Sequence, residues 1–391
     1  MDLGKAATYG AINSSPTIST LTLFSGRHET LTVDLAKAIK KLVELNPVLT
    51  GKVWEKDGRI LLEPQAHSEF LRVVEAPEGM EGGESVKSLD LKGKIRLLEK
   101  LEQSLCSPMD GRFTLGHGSQ VFLVELMILK EAVCVAIHLS HIVGDAKTLY
   151  SLVGQLNGLL RGEAPEKLTW DSPSKQTFDL FPPSLSEKDR NRMLKWGIMG
   201  WLAQKICGPR RQSNVSVLSR DAILVKKKEL KRSDLPYLSS NDVISAALSR
   251  AIRNSYVMNL AVDMRGKEGL EGKLAGNFWR SVPVDHQAAQ DPNTIRDLLP
   301  KLQFFKTDEM PFLPFATGRY SFVTNWTAST CHLSIPNLSL ECHIPHSNFL
   351  KGTPTNVAVI FHVDGSQTLG LSHNVPSSNI DAAGLLGALA A

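Results

Sequence analysis

Long apolar runs are missing from this chain. No stretch approaches the roughly 20 residues that a membrane-spanning helix needs. The opening MDLGKAATYGAINSSPTIST lacks the basic start and apolar run of a secretory leader. Cysteine is sparse and odd in number: Cys106, Cys134, Cys207, Cys331 and Cys342, with no C-x-x-C spacing. That excludes a disulfide-stapled scaffold and predicts reduced thiols in a cytoplasmic protein. A dominant charge is absent too. Lys and Arg number 44 against 40 Asp and Glu, a formal charge of +4, so nucleic-acid binding, which needs a clustered basic face, is not expected. Repeats and low-complexity tracts are also absent. What is present is 391 residues, 42% apolar and 21% charged. This is the balance of a globular protein, long enough for two domains of about 150–200 residues.

The first part mixes helix and strand. Leu35, Ile39 and Leu42 recur at helical spacing before Pro47. Gln120 to Leu129 and Ala132 to Leu139 are apolar runs around Lys130-Glu131, and predict a hairpin buried on both faces. Leu149, Leu152, Val153, Leu156, Leu159 and Leu160 form one helical stripe, ended by Arg161-Gly162. From about 166 to 220 the pattern breaks at Pro173, Pro182, Pro183 and Pro209, so a crossover linker is expected between domains 1–165 and 221–391. Within it, Met193 to Cys207 is apolar nearly all round, with Trp196 and Trp201. Such a segment is either buried or in shallow contact with a membrane. In the second part, Ser240-Asn241-Asp242 reads as an N-cap before a helix. Strands are expected at 256–265, 319–326, 356–363 and 367–371, and a small-residue helix near 380–389. The absence of a β-α-β-α rhythm argues for an α/β (α+β) protein with mixed sheets and flanking helices, not a doubly wound nucleotide fold.

The most informative segment is Ser140-His141-Ile142-Val143-Gly144-Asp145-Ala146. His141 sits where an apolar strand stops and a helix begins, a place where a side chain reaches a cleft from a rigid backbone. An imidazole with an ordinary pKa of about 6.5 suits proton removal near neutrality. Spacing alone favours a plain turn histidine and an N-cap at Asp145. Cys331-His332, Cys342-His343 and His346 lack the tight paired spacing of a zinc site, and no metal is expected.

The chain resembles the coenzyme-A-dependent acyltransferases of the chloramphenicol-acetyltransferase-like fold, closest to the BAHD or trichothecene-acetyltransferase-like branch. H-x-x-x-D lies between a strand and a long amphipathic helix, as in that family. Val48-Leu49-Thr50-Gly51-Lys52 is similar to its "P-x-L-x-G" opening. Ser239 to Ala246 is similar to the start of its second domain, Val262-Asp263-Met264-Arg265 with Gly276-Asn277 to "V-D-x-R … G-N", and Val323-Thr324-Asn325-Trp326 to "V-T-S-W". Two departures stand out: Ala146 replaces the family's Gly, and D-F-G-W-G is missing.

The resemblance implies two chloramphenicol-acetyltransferase-like domains with the active site between them. It implies His141 as general base, with Asp145 and Arg265 as a supporting pair. It also implies Thr324 and Trp326 at the acceptor or oxyanion site, and Ser240 and Asn277 along the coenzyme A channel. For Trp326 a core position weighs as much, and for Ser240 and Asn277 a capping or turn role. No permanently bound cofactor is implied. Acyl-CoA is the co-substrate, the acceptor a small-molecule alcohol or amine, and the protein a monomer. The two departures keep open a second reading, a catalytically weak relative that binds small molecules or acts as a scaffold.

Overall fold

The computed structural model describes residues 2–5, 17–57, 59–64, 69–78, 85–105, 120–170, 199–253 (except 201, 205, 209 and 210), 255–302 (except 268), 319–347, 350, 353, 355–381, 384, 385 and 389. In chain order the first part holds β1 (Asp2–Lys5), β2 (Ile18–Ser25), α1 (Leu31–Leu45), β3 (Gly51–Lys56), β4 (Arg59–Pro64), β5 (Leu71–Val74), α2 (Leu91–Leu101), β6 (Phe122–Ile128), β7 (Ala132–Leu139), α3 (Ala146–Leu160) and β8 (Thr169–Trp170). The second holds β9 (Asn214–Leu218), α4 (Arg220–Leu230), α5 (Ser240–Ala251), β10 (Val257–Asp263), β11 (Leu274–Ala275), β12 (Trp279–Asp285), α6 (Pro292–Lys301), β13 (Tyr320–Asn325), β14 (Ser339–Pro345), β15 (Asn356–His362) and β16 (Leu369–His373). The architecture is mixed α/β, as the sequence pattern predicts.

Two sheets carry the molecule. The first has the order β14-β2-β7-β6-β5, the second β12-β10-β13-β15-β16-β9. β6 and β7 form the expected hairpin, with every residue of β7 buried. α1 buries Leu31, Leu35, Ala38, Ile39, Leu42 and Val43 on one face. Asn46 ends it, donating to Leu42 O at 2.9 Å and to Gln155 of α3 at 2.7 Å. That bond ties the two helices that cover one face of the first sheet. α3 buries Leu149, Leu152, Val153 and Leu156 of the predicted stripe, with Leu159 and Leu160 partly buried, and stops at Gly162, whose φ of 77° suits glycine.

Two strands run across the expected linker and domain limits. β9, inside the 166–220 stretch, is the edge strand of the second sheet, paired with β16. β14, from the second part of the chain, belongs to the first sheet and pairs with β2. The reason is physical: every residue of β2 is buried, and β14 supplies the ladder partner that a buried backbone edge demands. A correction concerns the start of α5. Its N-cap is Ser239, whose Oγ accepts from Asp242 N at 3.2 Å while Asp242 Oδ2 accepts from Ser239 N at 2.7 Å. Ser240 is the first helical residue.

Half of the helix expected near 380–389 lies outside the described residues, and Ile380 itself bridges to Ile252. Trp196 and Trp201 of the apolar island also lie outside them. Within the island, Met199, Leu202 and Ile206 are exposed. Among the described residues no helix is long and apolar enough to cross a membrane, and Cys134, Cys207, Cys331 and Cys342 are free thiols.

Candidate active site

β7 ends in a tight turn. Ser140 O accepts from Val143 N at 3.0 Å and from Gly144 N at 3.3 Å, which throws His141 out at the strand's end. Gly144 is demanded by space: a Cβ there would lie 2.8 Å from Thr148 Cγ2 and 2.9 Å from Leu139 Cδ2. Asp145 then caps α3, accepting from Thr148 N at 3.0 Å. Ala146 is buried in the main core at the helix start, so its methyl packs inward.

From the second part of the chain, the loop between β10 and β12 comes to meet this turn. Arg265 grips Asp145 with both terminal nitrogens, Nη1 to Oδ2 at 2.9 Å and Nη2 to Oδ1 at 3.0 Å. Its Nε donates to Leu274 O at 2.6 Å and its Nη2 also to Gly276 O at 2.8 Å. Phe278 N donates to Asp145 Oδ2 at 3.1 Å, and Asp145 N to Gly276 O at 3.2 Å. Gly276 has φ 138°, a conformation that favours glycine. Arg265 Nη1 also reaches Asp263 at 3.0 Å, and Lys147 reaches the other oxygen of Asp263 at 2.6 Å. The charges therefore alternate from Asp145 through Arg265 and Asp263 to Lys147. Burial pushes the Asp145 carboxyl up, but the Arg265 guanidinium outweighs it and holds the group below its ordinary range. Burial likewise opposes the Arg265 charge, and Asp145 overcomes it.

Asn277 fixes the imidazole. Its Nδ2 donates to His141 O at 2.7 Å and, more weakly, to Ile142 O at 3.4 Å. The amide can have only one orientation, so Oδ1 is the atom 2.9 Å from His141 Nδ1 and must accept from it. Nδ1 therefore carries the proton. Asn277, on Nδ1, is the side-chain hydrogen-bond partner of the ring. Burial lowers the His141 pKa, against the opposing pull of its own backbone and of Asp145, so the neutral base form dominates at pH 7.

The residues singled out in the sequence separate into groups. His141, Asp145, Arg265 and Asn277 come together in one network, with Asn277 bonded to the imidazole. Thr324 lies on β13, partly exposed, on the same strand face as Phe322. Trp326 is 3% exposed and packs in the main core with its ring 6.2 Å from that of Tyr150. Ser240 is not brought to this network. Its helix α5 packs against Leu260, Val282 and Val323, the sheet face opposite Phe322 and Thr324. His138 is a satisfied core residue, bonded to Ser19 at 2.8 Å and Glu125 at 3.0 Å. Among the described residues no group of three His, Cys, Asp or Glu side chains is placed to hold a metal ion. The sequence reading missed Trp279, whose ring centroid lies 6.4 Å from that of His141. It follows Gly276-Asn277 in β12, and a single partly exposed aromatic between buried Phe278 and Arg280 leaves no periodic signal.

No protein-family model and no curated protein matches the chain. Solved structures do. F. graminearum TRI101 complexed with coenzyme A and T-2 mycotoxin shares 11% identity, with a TM-score of 0.69, over 97% of this chain and 95% of that one. The fold is chloramphenicol-acetyltransferase-like. F. sporotrichioides TRI101 complexed with coenzyme A and T-2 gives 12% identity and a TM-score of 0.64, over 95% of this chain and 94% of that one. The first condensation domain of the CDA synthetase gives 13% and 0.59, over 98% and 90%. At these identities the likeness is one of fold.

Proposed function

We propose that this protein transfers an acyl group from acyl-CoA to a hydroxyl, or an amine, of a small molecule, with His141 as general base. The observation that carries the reading is the Asn277-fixed imidazole, with its proton on Nδ1, at the meeting of the two parts of the chain. Fold likeness to proteins solved with coenzyme A and a small-molecule acceptor supports it.

The chemistry follows from the geometry. Nε2 takes the acceptor's proton as its oxygen attacks the thioester carbonyl. The tetrahedral intermediate collapses, the C–S bond breaks, and the imidazolium returns the proton to the coenzyme A thiolate. Acyl-CoA is a co-substrate and no covalent acyl-enzyme is needed. Asp145 stays paired with Arg265 and holds the turn, unlike the acid of a Ser-His-Asp triad. Thr324, on the exposed strand face beside Phe322, is the hydroxyl available to the developing oxyanion.

The test is release of free coenzyme A from acyl-CoA with a mixed panel of alcohols and amines. His141→Ala should lower turnover by roughly 10²–10⁴-fold with little change in coenzyme A binding. Asn277→Ala should lower it about 10–100-fold, the cost of one lost charge-directing bond. Its acid limb should also change shape, because the tautomer is no longer fixed. Since burial lowers the His141 pKa, kcat/KM of the wild type should rise with pH along a limb below the ordinary histidine value. Full activity of His141→Ala at pH 7 would exclude the base; no release with any acceptor would favour the non-catalytic relative.

A further inference from the structure

Three aromatic rings meet at the proposed base. Trp279 of β12 lies 6.4 Å from His141, its plane tilted 48° to the imidazole, and Phe322 of β13 lies 5.5 Å from Trp279 at 75°. All three are partly exposed, while Phe278, Arg280, Ser321 and Val323 beside them are buried. The alternation puts Trp279 and Phe322 on a partly exposed sheet face beside His141, their planes steeply inclined to one another. Such a corner is not used to close the core: a core pair would be buried, as Tyr150 and Trp326 are.

We infer that Trp279 and Phe322 form an aromatic corner that selects, as acceptor, a neutral alcohol carried on a planar apolar ring. The inference rests on the acyl-transfer reading for the word acceptor, and on geometry for the rest. A flat ring laid on the indole sits about 3.5–4.0 Å from it and meets the Phe322 edge at the angle that aromatic rings favour. The indole and imidazole centroids are 6.4 Å apart, so a hydroxyl borne on such a ring lies beside His141. Neutrality follows from the charges. The nearest carboxylate to Trp279 across the ladder is Asp263, its antiparallel partner. That group is already held by Lys147 and Arg265, and Asp145 by Arg265. No described carboxylate on this wall is left to draw in an ammonium ion.

The experiment is calorimetric titration of the turnover-incompetent His141→Ala protein, without acyl-CoA. The probes are 2-naphthylmethanol, its fully saturated counterpart, and 2-naphthylmethylammonium. The planar alcohol should bind roughly 3- to 10-fold more tightly than the saturated one, the share of a well-placed aromatic contact, and more tightly than the ammonium. Adding Trp279→Ala should erase the preference, and Phe322→Leu should reduce it. If Trp279→Ala melts early, Trp279→Leu carries the same test. Equal affinities in the parent, or a preference that survives loss of the indole, overturns the inference. Because binding is read without turnover, the two readings fail separately. A planar preference without any coenzyme A release removes the acyltransferase and keeps the corner. Release without the preference does the reverse.

Discussion

Asp145→Asn looks conservative and should be among the most damaging changes in the molecule. Five donor contacts converge on its two oxygens. Oδ1 takes Thr148 N, Thr148 Oγ1 and Arg265 Nη2 at 3.0, 3.1 and 3.0 Å; Oδ2 takes Arg265 Nη1 and Phe278 N at 2.9 and 3.1 Å. An asparagine must put its NH2 where one oxygen was, and in either orientation that NH2 faces at least two donors. The Arg265 guanidinium, 1% exposed as a side chain, would keep only Asp263 as a counter-charge. Stranding one member of a buried pair costs about 3–5 kcal/mol, and urea unfolding would read it directly. Arg265→Ala should cost a similar amount. The double variant should lose less than the two singles together, by about 1–3 kcal/mol, because the shared contact is removed only once. The wild-type contribution has a pH sign. The folded carboxyl titrates below its ordinary value, so the stabilisation is complete above about pH 4 and is lost as pH falls through the lower folded value. A loss under about 1 kcal/mol for Asp145→Asn, or strict additivity of the pair, would refute the reasoning.

Two further outcomes follow from packing and burial. Gly144→Ala places a methyl 2.8 Å from Thr148 Cγ2 and 2.9 Å from Leu139 Cδ2; thermal melts should show a loss of about 1–3 kcal/mol, and an unchanged melt would mean that the turn has room to move. His373, 5% exposed, is held neutral by burial, its pKa lowered to about 4. Above pH 6.5 it costs nothing; below, the unfolded chain takes the proton first, and the difference grows to about 3 kcal/mol by pH 4. His373→Asn should flatten the acid fall of stability, and an equal slope in both proteins would place the acid-sensitive group elsewhere.

Local pattern made some of this visible. The α3 stripe, the β6–β7 hairpin and the strand-turn-helix at His141 are short-range features, each written within about 20 residues. Their signals survive because each is set by the apolar period of its own segment, whatever else packs on it. What stayed hidden is long-range. β14 looks like any short run of mixed polarity ending in Pro345, and only the open edge of β2 explains it. Trp326 could be wall or core on its spacing, and packing against Tyr150 decides for core. Asn277 was legible as part of a segment, but its bond to His141 joins positions 136 apart. The cap of α5 slipped by one residue, because Ser239 and Ser240 are chemically identical and only the reciprocal bonds with Asp242 tell them apart.

The insertion of β14 beside β2 also bears on how the chain is made. Thr22 and His343 share a hydrogen bond although 321 positions separate them. At about 5–20 residues per second the ribosome needs roughly 15–60 s between releasing the first strand and its partner. During that interval β2 presents a bare edge, a template for pairing with a neighbouring nascent chain. A stop codon before Ser339, or a cut that separates the two parts of the chain, would leave that edge open permanently. Fragments ending there should aggregate on expression, while co-expression with the remaining segment should rescue them by strand complementation in trans.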